Sequence, residues 1–512
     1  MKNKKYFLKK ENSDEVSKIL KTAIDVGIWF QNKESFIKKY KKEDIISLIN
    51  EPIPSDGIDI EKLLSYFNNN LIDYCINQAN TKYLSFPDAW NSVAWYVADI
   101  LKPLLNQNLI ADIRSAPLWT YLEITLIKWI RELIWYNSKE YPKSIEDVGW
   151  VYCFWGVMSI VTGLLIARSK LFKWSFSSWI LDTKNTYVLC PQWISHYSVA
   201  SAMWYLWFWT KSVIEIPLKS NFKMDEKKME EKINNIINNW WKILAIVAYA
   251  WDSRTMRIDN LEKISNIAIK YNIWLHVDAC HWWALLFSSK QKYKIKWIEK
   301  ADSITLDPHK VLSVTYPSSL VLFKNSKDLL MASKSYDMTI EEWTLDLWQI
   351  SPFIGSKSFE SLKLWFLIKN LWLNWLSKMI DKRFDLVHHF YSLIEKNKDF
   401  YNLHKVNINS LCFLYFPTSL KNKFEKEKDN RKKEDILKIV DNLNKKIQEK
   451  LYENWIISIH SFKLNDEWNK VWIKNFWKRQ VLWIIIWNDN IKISDMEYAY
   501  KKIINFSNTL KY

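Results

Sequence analysis

A chain of 512 residues is too long for one ordinary core, and 49% hydrophobic with 25% charged residues reads as globular and soluble, in two or three domains. The net charge of +17 raises nucleic acid and anionic membranes as partners, but the lysines are scattered among glutamates and asparagines with no aromatic-interleaved stripe, so neither is expected. The five cysteines, Cys75, Cys153, Cys190, Cys280 and Cys412, show no C-x-x-C spacing, which points to a reduced, cytoplasmic protein.

The opening stretch MKNKKYFLKKENSDE lacks the apolar core of a signal peptide, and the first hundred or so residues read as helical. Val151 to Ala167, VYCFWGVMSIVTGLLIA, falls short of the roughly 20 residues that cross a bilayer and predicts a buried helix. Short β-rich runs then alternate with helical patterns: Thr186–Pro191, Ile243–Ala250, Trp274–Ala279, Asp302–Asp307 and Ser318–Lys324. Between the second and third, Asp259 is placed to cap a helix whose apolar face is Leu261, Ile264, Ala268 and Tyr271, a βαβ crossover. Such alternation predicts an α/β domain with a mostly parallel sheet flanked by helices. After about residue 395 the order becomes strand, a Lys/Glu-rich helix (Lys432–Glu449), then two strands, a smaller α+β domain. The Lys/Glu run from Lys421 to Lys450 reads as one solvated helix face. The division expected is 1–110, 111–395 and 396–512.

Glycine is the anomaly. At about 7% of average usage some 36 glycines are expected, yet the chain has 6, beside 32 tryptophans. Trp455 and Trp375 each follow Asn, where turns call for a residue tolerating positive φ, and Trp155 and Trp251 fall in loops leaving strands. The reading is that most of these tryptophans are UGA codons that the source organism translates as glycine. UGG at 155, 251, 282 and 283 would refute it.

DPHK, Asp307 to Lys310, places a lysine at the carboxyl edge of a strand, where α/β sheets bind ligands. Asp278 ends the preceding strand. A lysine with a strand-end carboxylate meets the needs of pyridoxal phosphate: the amine forms the Schiff base, and the carboxylate keeps the pyridine nitrogen protonated. His196, in SHYS, could stack on the ring and handle a proton. The turn at Trp155 and Gly156 opens a helix whose N-terminus can hold a phosphate.

With those four elements in order, the chain resembles the group II pyridoxal-phosphate-dependent amino acid decarboxylases, which have the aspartate aminotransferase fold, fold type I. HVDACHWW, with both Trp read as Gly, is similar to that family's HVDA-x-x-G-G; ADSITLDPHK is similar to its lysine motif, and PFIGSKSFESLKLWF to the segment before its late helix. The family has true tryptophans matching Trp274 and Trp365. The resemblance implies pyridoxal 5′-phosphate as cofactor, an L-amino acid as substrate, and amine plus CO2 as products. It implies Lys310 as the Schiff-base lysine, Asp278 at the pyridine nitrogen, His196 on the ring and Ser253 nearby. Trp155, Gly156 and Val157 would bind phosphate through the backbone, with His309 close by. Gly355 would reach the partner subunit's phosphate in a homodimer, formed through the N-terminal segment. Phe154, Val157 and Ile160 stand where many members carry hydroxyl or amide side chains, so phosphate contacts would be mostly main-chain. No tyrosine matches the family's mobile-loop proton donor; Tyr336 is the one nearby candidate.

His276, Asp278 and His281 form an H-x-D-x-x-H string without a further ligand set, so no metal is expected. His388 and His389 read as helix surface, while His404 and His460 carry no context. The same lysine and aspartate would serve an aminotransferase or a carbon–sulfur lyase. Literal indoles at 155, 251, 282 and 283 would overfill the pocket and leave a cofactor-free basic binding protein.

Overall fold

The computed structural model describes residues 7–512 apart from 54, 87–91, 140, 174, 176–182, 193–196, 251–253, 333–344, 354, 468–470, 472, 474–477 and 511–512. Its larger sheet has seven strands: β1 (Trp150–Cys153), β2 (Thr186–Pro191), β3 (Val213–Ile216), β4 (Lys242–Tyr249), β5 (Trp274–Asp278), β6 (Ser303–Leu306) and β7 (Ser319–Phe323). The order is β1-β7-β6-β5-β4-β2-β3, parallel throughout except for β7, which runs antiparallel to both neighbours. Helices cover the sheet, so β4 and β5 are buried along nearly their whole length and read as unbroken apolar runs instead of alternating ones.

Three local expectations change. The apolar run from Val151 is not one helix: β1 ends at Cys153, a turn follows, and a helix occupies Gly156–Leu171. That helix is buried continuously from Ser159 to Ser169, so it carries no polar stripe to separate it from the strand before it. The crossover helix, Leu261–Lys270, is capped by Asn260, whose side chain accepts the Lys263 N–H, and not by Asp259. The Asp259 carboxylate instead accepts the N–H groups of Met224 (2.8 Å) and Tyr249 (2.9 Å), tying two loops together. The Lys/Glu run is two helices, Thr418–Lys426 and Asn430–Glu453, and Asp429 caps the second.

The second sheet is antiparallel, with β8 (Phe400–Asn402), β9 (Ser410–Tyr415), β10 (His460–Leu464) and β11 (Arg479–Ile485) in the order β10-β11-β9-β8. The Asn430–Glu453 helix lays Leu437, Val440, Leu443, Ile447 and Leu451 against it. At the other end of the chain, helices Ser13–Gln31, Lys42–Ile49 and Ile60–Tyr66 bury none of their residues. Among the described residues no helix is long and apolar enough to cross a membrane.

The backbone repeats one device at its helix ends. At Trp135, Trp207, Trp240 and Trp455 φ is between 59° and 66°, and each stands just past a helix C-terminus. At Trp135, its N–H reaches the Glu132 carbonyl (3.1 Å) and the next N–H, of Tyr136, reaches back to Arg131 (2.9 Å). The same pair of bonds recurs at the other three, and again at Asn272. This is the Schellman closure, whose left-handed residue is usually glycine and sometimes asparagine. Lys296 (φ −52°, ψ 146°) and Trp297 (φ 78°, ψ 0°) have the angles of a type II turn, whose second central residue is normally glycine. Trp372, with φ 60° and ψ 161°, interrupts the helix Ser361–Glu395 in a region populated essentially by glycine alone.

Candidate active site

Because β1, β5 and β6 run the same way, their carboxyl ends open on one side of the sheet, and a cavity of about 460 Å³ lies there. Asp278 is the last residue of β5, Lys310 lies in the short helix Pro308–Val311 just after β6, and the Gly156–Leu171 helix starts just after β1. Lys310, Asp278, Trp155, Gly156, Val157 and His309 all line this cavity. Gly355 does not: it is exposed, with open space around its Cα. His196, Ser253 and Tyr336 lie outside the described residues.

Lys310 Nζ sits 2.9 Å from Asp307 Oδ2 and 3.1 Å from Cys280 Sγ. Burial alone would depress the lysine, but Asp307, Cys280 and Asp278 outweigh it and hold the amine above its ordinary value. Asp278 is buried, and desolvation raises its carboxyl against the pull of Lys310 and the Cys280 N–H, which donates to Oδ1 at 3.2 Å. For Asp307 burial also pushes upward, but Lys310, His309 and the Ser319 hydroxyl hold it below the usual carboxylate range. His309 is pushed down to about 4, chiefly by burial, and is neutral at physiological pH; its Nδ1 bonds to the Ser318 carbonyl, and its ring lies 4.7 Å from that of Tyr316.

The helix N-terminus that lines the same cavity receives no side-chain cap from Trp155, so the N–H groups of its first turn lack an intrahelical partner. Glycine is required at 156, since a Cβ there would lie 2.6 Å from Asp307 Oδ2. Trp155 is extended (φ −135°) and its indole is half exposed beside Tyr316, 5.6 Å between rings. An amine, a buried carboxylate and a helix end without a side-chain cap, all lining one cavity, suit an aldehyde, a pyridine nitrogen and a phosphate respectively.

The tryptophans at 282 and 283 do not plug this space. They begin a turn of 3₁₀ helix that leads away from it, with Trp282 stacked on Trp487 (6.3 Å) and Trp283 packed against Phe287 (5.5 Å). His276 is likewise structural: it is buried under the Gly156–Leu171 helix, with Nδ1 on Ser303 (2.8 Å) and Nε2 on Thr305 (3.1 Å). Sequence reasoning gave no role to Cys280 or to Asp307 itself; Asp307 stands one helical turn before the lysine, whereas only the fold brings Cys280 to the amine.

A mostly parallel sheet flanked by helices, with a separate small antiparallel sheet, is the architecture of the pyridoxal-phosphate enzymes of fold type I. Residues 42–416 match the family described as the pyridoxal-dependent decarboxylase conserved domain, and the chain belongs to that family. An aromatic-L-amino-acid decarboxylase of Bacillus atrophaeus is 24% identical over 421 residues, 80% of this chain and 83% of that protein. Among solved structures, mouse CSAD superposes with a TM-score of 0.86 at 18% identity, covering 98% of this chain and 100% of that one. Catharanthus roseus tryptophan decarboxylase in complex with L-tryptophan gives 0.81 at 17% identity, covering 98% and 100%. The activity is pyridoxal-phosphate-dependent decarboxylation of an amino acid; the transaminase, carbon–sulfur lyase and cofactor-free readings are not favoured.

Proposed function

We propose that the chain decarboxylates an aromatic L-amino acid, with Lys310 binding the cofactor aldehyde and Asp278 holding its ring nitrogen charged. The cavity lining carries this reading. Among the described lining residues the basic side chains are Lys310, paired with Asp307, and the neutral His309, so a substrate side-chain carboxylate meets no uncommitted cation. Met158, Ile160, Tyr197, Tyr205 and Tyr316 offer apolar and aromatic surface instead. Pyridoxal phosphate supplies the electron sink for the bonding pair that CO2 leaves behind. Asp278 contributes a fixed negative charge, the helix N-terminus at Gly156 and Val157 an anion site, and His309, Ser253 and His196 the remaining contacts. Release of CO2 and amine from phenylalanine, tyrosine and tryptophan, set against glutamate and aspartate, tests the substrate class. Faster turnover of either acidic substrate overturns it.

We read the active form as a cytoplasmic homodimer without nucleic-acid or membrane partners, divided at residues 110 and 395. The unburied N-terminal helices and exposed Gly355 support a second copy, and the five free cysteines support a reducing compartment. Sedimentation as a monomer would refute the dimer.

We infer further that the tryptophans with left-handed backbone stand for glycine, encoded by UGA. The supporting observation is that, among the described residues, 6 of the 11 non-glycine positions with positive φ are Trp, four of them at one helix-ending position that Asn272 also occupies. Among the described residues the buried indole N–H groups of Trp95, Trp282, Trp283 and Trp487 find no hydrogen-bond partner, whereas that of Trp274 donates to Ser303 at 2.9 Å. Peptide masses of the native protein decide it: glycine at 135, 207, 240 and 455 with tryptophan at 274 is the expected outcome, and tryptophan at all five overturns it.

A further inference from the structure

The strongest unassigned feature of the cavity is the carboxylate three residues before the lysine. Asp307 is wholly buried: Oδ1 accepts the Ser319 hydroxyl, while Oδ2 makes no hydrogen bond among the described residues and is ion-paired with Lys310 Nζ at 2.9 Å. Ser319 is itself fixed by Ser159 at 2.8 Å, so the carboxylate is anchored to the Gly156–Leu171 helix as well as to β7. Glycine at 156 is what lets that helix end approach it. The site thus holds two buried carboxylates around one amine, and the ring nitrogen has use for only one of them, Asp278.

We propose that Asp307 is a positioning residue that keeps Lys310 protonated and aimed into the cavity whenever the amine is not bonded to cofactor. This rests on the reading of Lys310 as the cofactor lysine. The groups facing that amine are Asp278 and Cys280 from β5 and the turn after it, and Asp307 from the end of β6, with His309 alongside. Lys363, on the Ser361–Glu395 helix, and Tyr316 act on His309 from behind. Only the carboxylates can carry negative charge at neutral pH, because burial pushes the Cys280 thiol well up. The direction of the lysine's own shift agrees, since burial is overcome by Asp307 before any other group.

The consequence is a proton that must leave before the cofactor is captured. To bond an aldehyde, the ammonium would first release one proton to solvent; the freed nitrogen lone pair would then bond the aldehyde carbon, and the two remaining N–H hydrogens would leave with the aldehyde oxygen as water. Once a substrate amine displaced it, the lysine amine would take up the proton that the substrate ammonium gives up and would hold it beside Asp307.

The test is uptake of pyridoxal 5′-phosphate by full-length protein freed of cofactor, followed by absorbance of the lysine adduct from neutral to alkaline pH. Losing an adjacent opposite charge lowers an amine by about 1–3 pKa units, so Asp307→Asn should capture cofactor at least about tenfold faster at neutral pH, its profile displaced toward lower pH. Asp307→Glu should return the profile toward that of the unaltered protein. A profile superimposable on the unaltered one overturns the proposal. If the Asn variant does not fold, competitive labelling of Lys310 in the unaltered, cofactor-free chain decides directly: an amine titrating at or below the ordinary lysine value of about 10.4 overturns it. Failure of the unaltered protein to form any adduct that Lys310→Ala abolishes would instead refute the cofactor-lysine reading.

Discussion

Replacing Trp135, Trp207, Trp240 and Trp372 together by glycine should make the chain more stable, against the usual rule that removing large aromatic side chains weakens a protein. All four are exposed, Trp240 at 94%, so little apolar burial is lost. Each is held at φ between 60° and 66°, a conformation that costs an L-residue about 1–2 kcal/mol. Glycine removes that cost but brings about 0.5–1 kcal/mol of extra freedom in the unfolded chain, leaving a gain of about 0.5–1 kcal/mol per site. The sites are in separate elements and should add, to about 2–4 kcal/mol, or about 1 M in the urea midpoint for a slope near 3 kcal/mol/M. Unfolding is best followed by circular dichroism, since the tryptophans are the perturbation; a chain with two sheets need not unfold in one step, so the first transition is the one compared. Trp274→Gly is the contrasting control. It is buried on β5 with its N–H on Ser303 and Lys170 over its ring, and its loss should cost about 3–5 kcal/mol. An unchanged or lowered midpoint in the fourfold variant refutes the argument that these positions are built for glycine.

Lys310→Ala should abolish both the adduct absorbance and borohydride trapping of cofactor. Asp278→Asn should retain uptake but lower kcat by about 10²–10³, the usual cost of removing one preorganised electrostatic partner; undiminished turnover would deny it the ring nitrogen. Gly163→Ala would place a Cβ 2.7 Å from the His276 ring and should destabilise by about 1–3 kcal/mol in thermal melts. Burial depresses His276 and His404 to about 3 each, so below the unfolded value the unfolded chain binds more protons than the folded one. Stability should therefore fall as pH drops from about 6.5 toward 3, by up to about 1.4 kcal/mol per unit for each histidine, and His404→Gln should remove one share of that slope.

Strands β2, β4, β5, β6 and β7 were legible because each is a short apolar run bounded by turn residues. β3 was not, being four residues long and interrupted by the exposed Glu215. β1 was hidden because a buried strand and a buried helix adjoin with only Phe154 and Trp155 between them, and periodicity cannot separate neighbouring segments that are apolar on every side. Lys310, Asp278 and the Gly156 turn could be read because they sit at strand ends, where order along the chain foretells nearness in space. The Asp307 to Lys310 contact could be guessed from spacing alone, but Cys280 reaches the amine only through the β5 to β6 pairing. Trp282 and Trp283 misled for the opposite reason: adjacency to Asp278 in sequence suggested the cavity, and the 3₁₀ turn carries them off toward Trp487.

Asp278 lies at the tip of the sheet's middle strand, laddered on both flanks, whereas the helix end at Gly156 hangs from β1, a border strand with a single neighbour. Spontaneous opening begins at borders and reaches interiors last. The two grips on a bound cofactor are therefore unequal in endurance: warming or mild denaturant would slacken the phosphate end first, while the amides around His276 to Asp278 stay closed to solvent hydrogen, and departure of the cofactor would precede collapse of the sheet that held it.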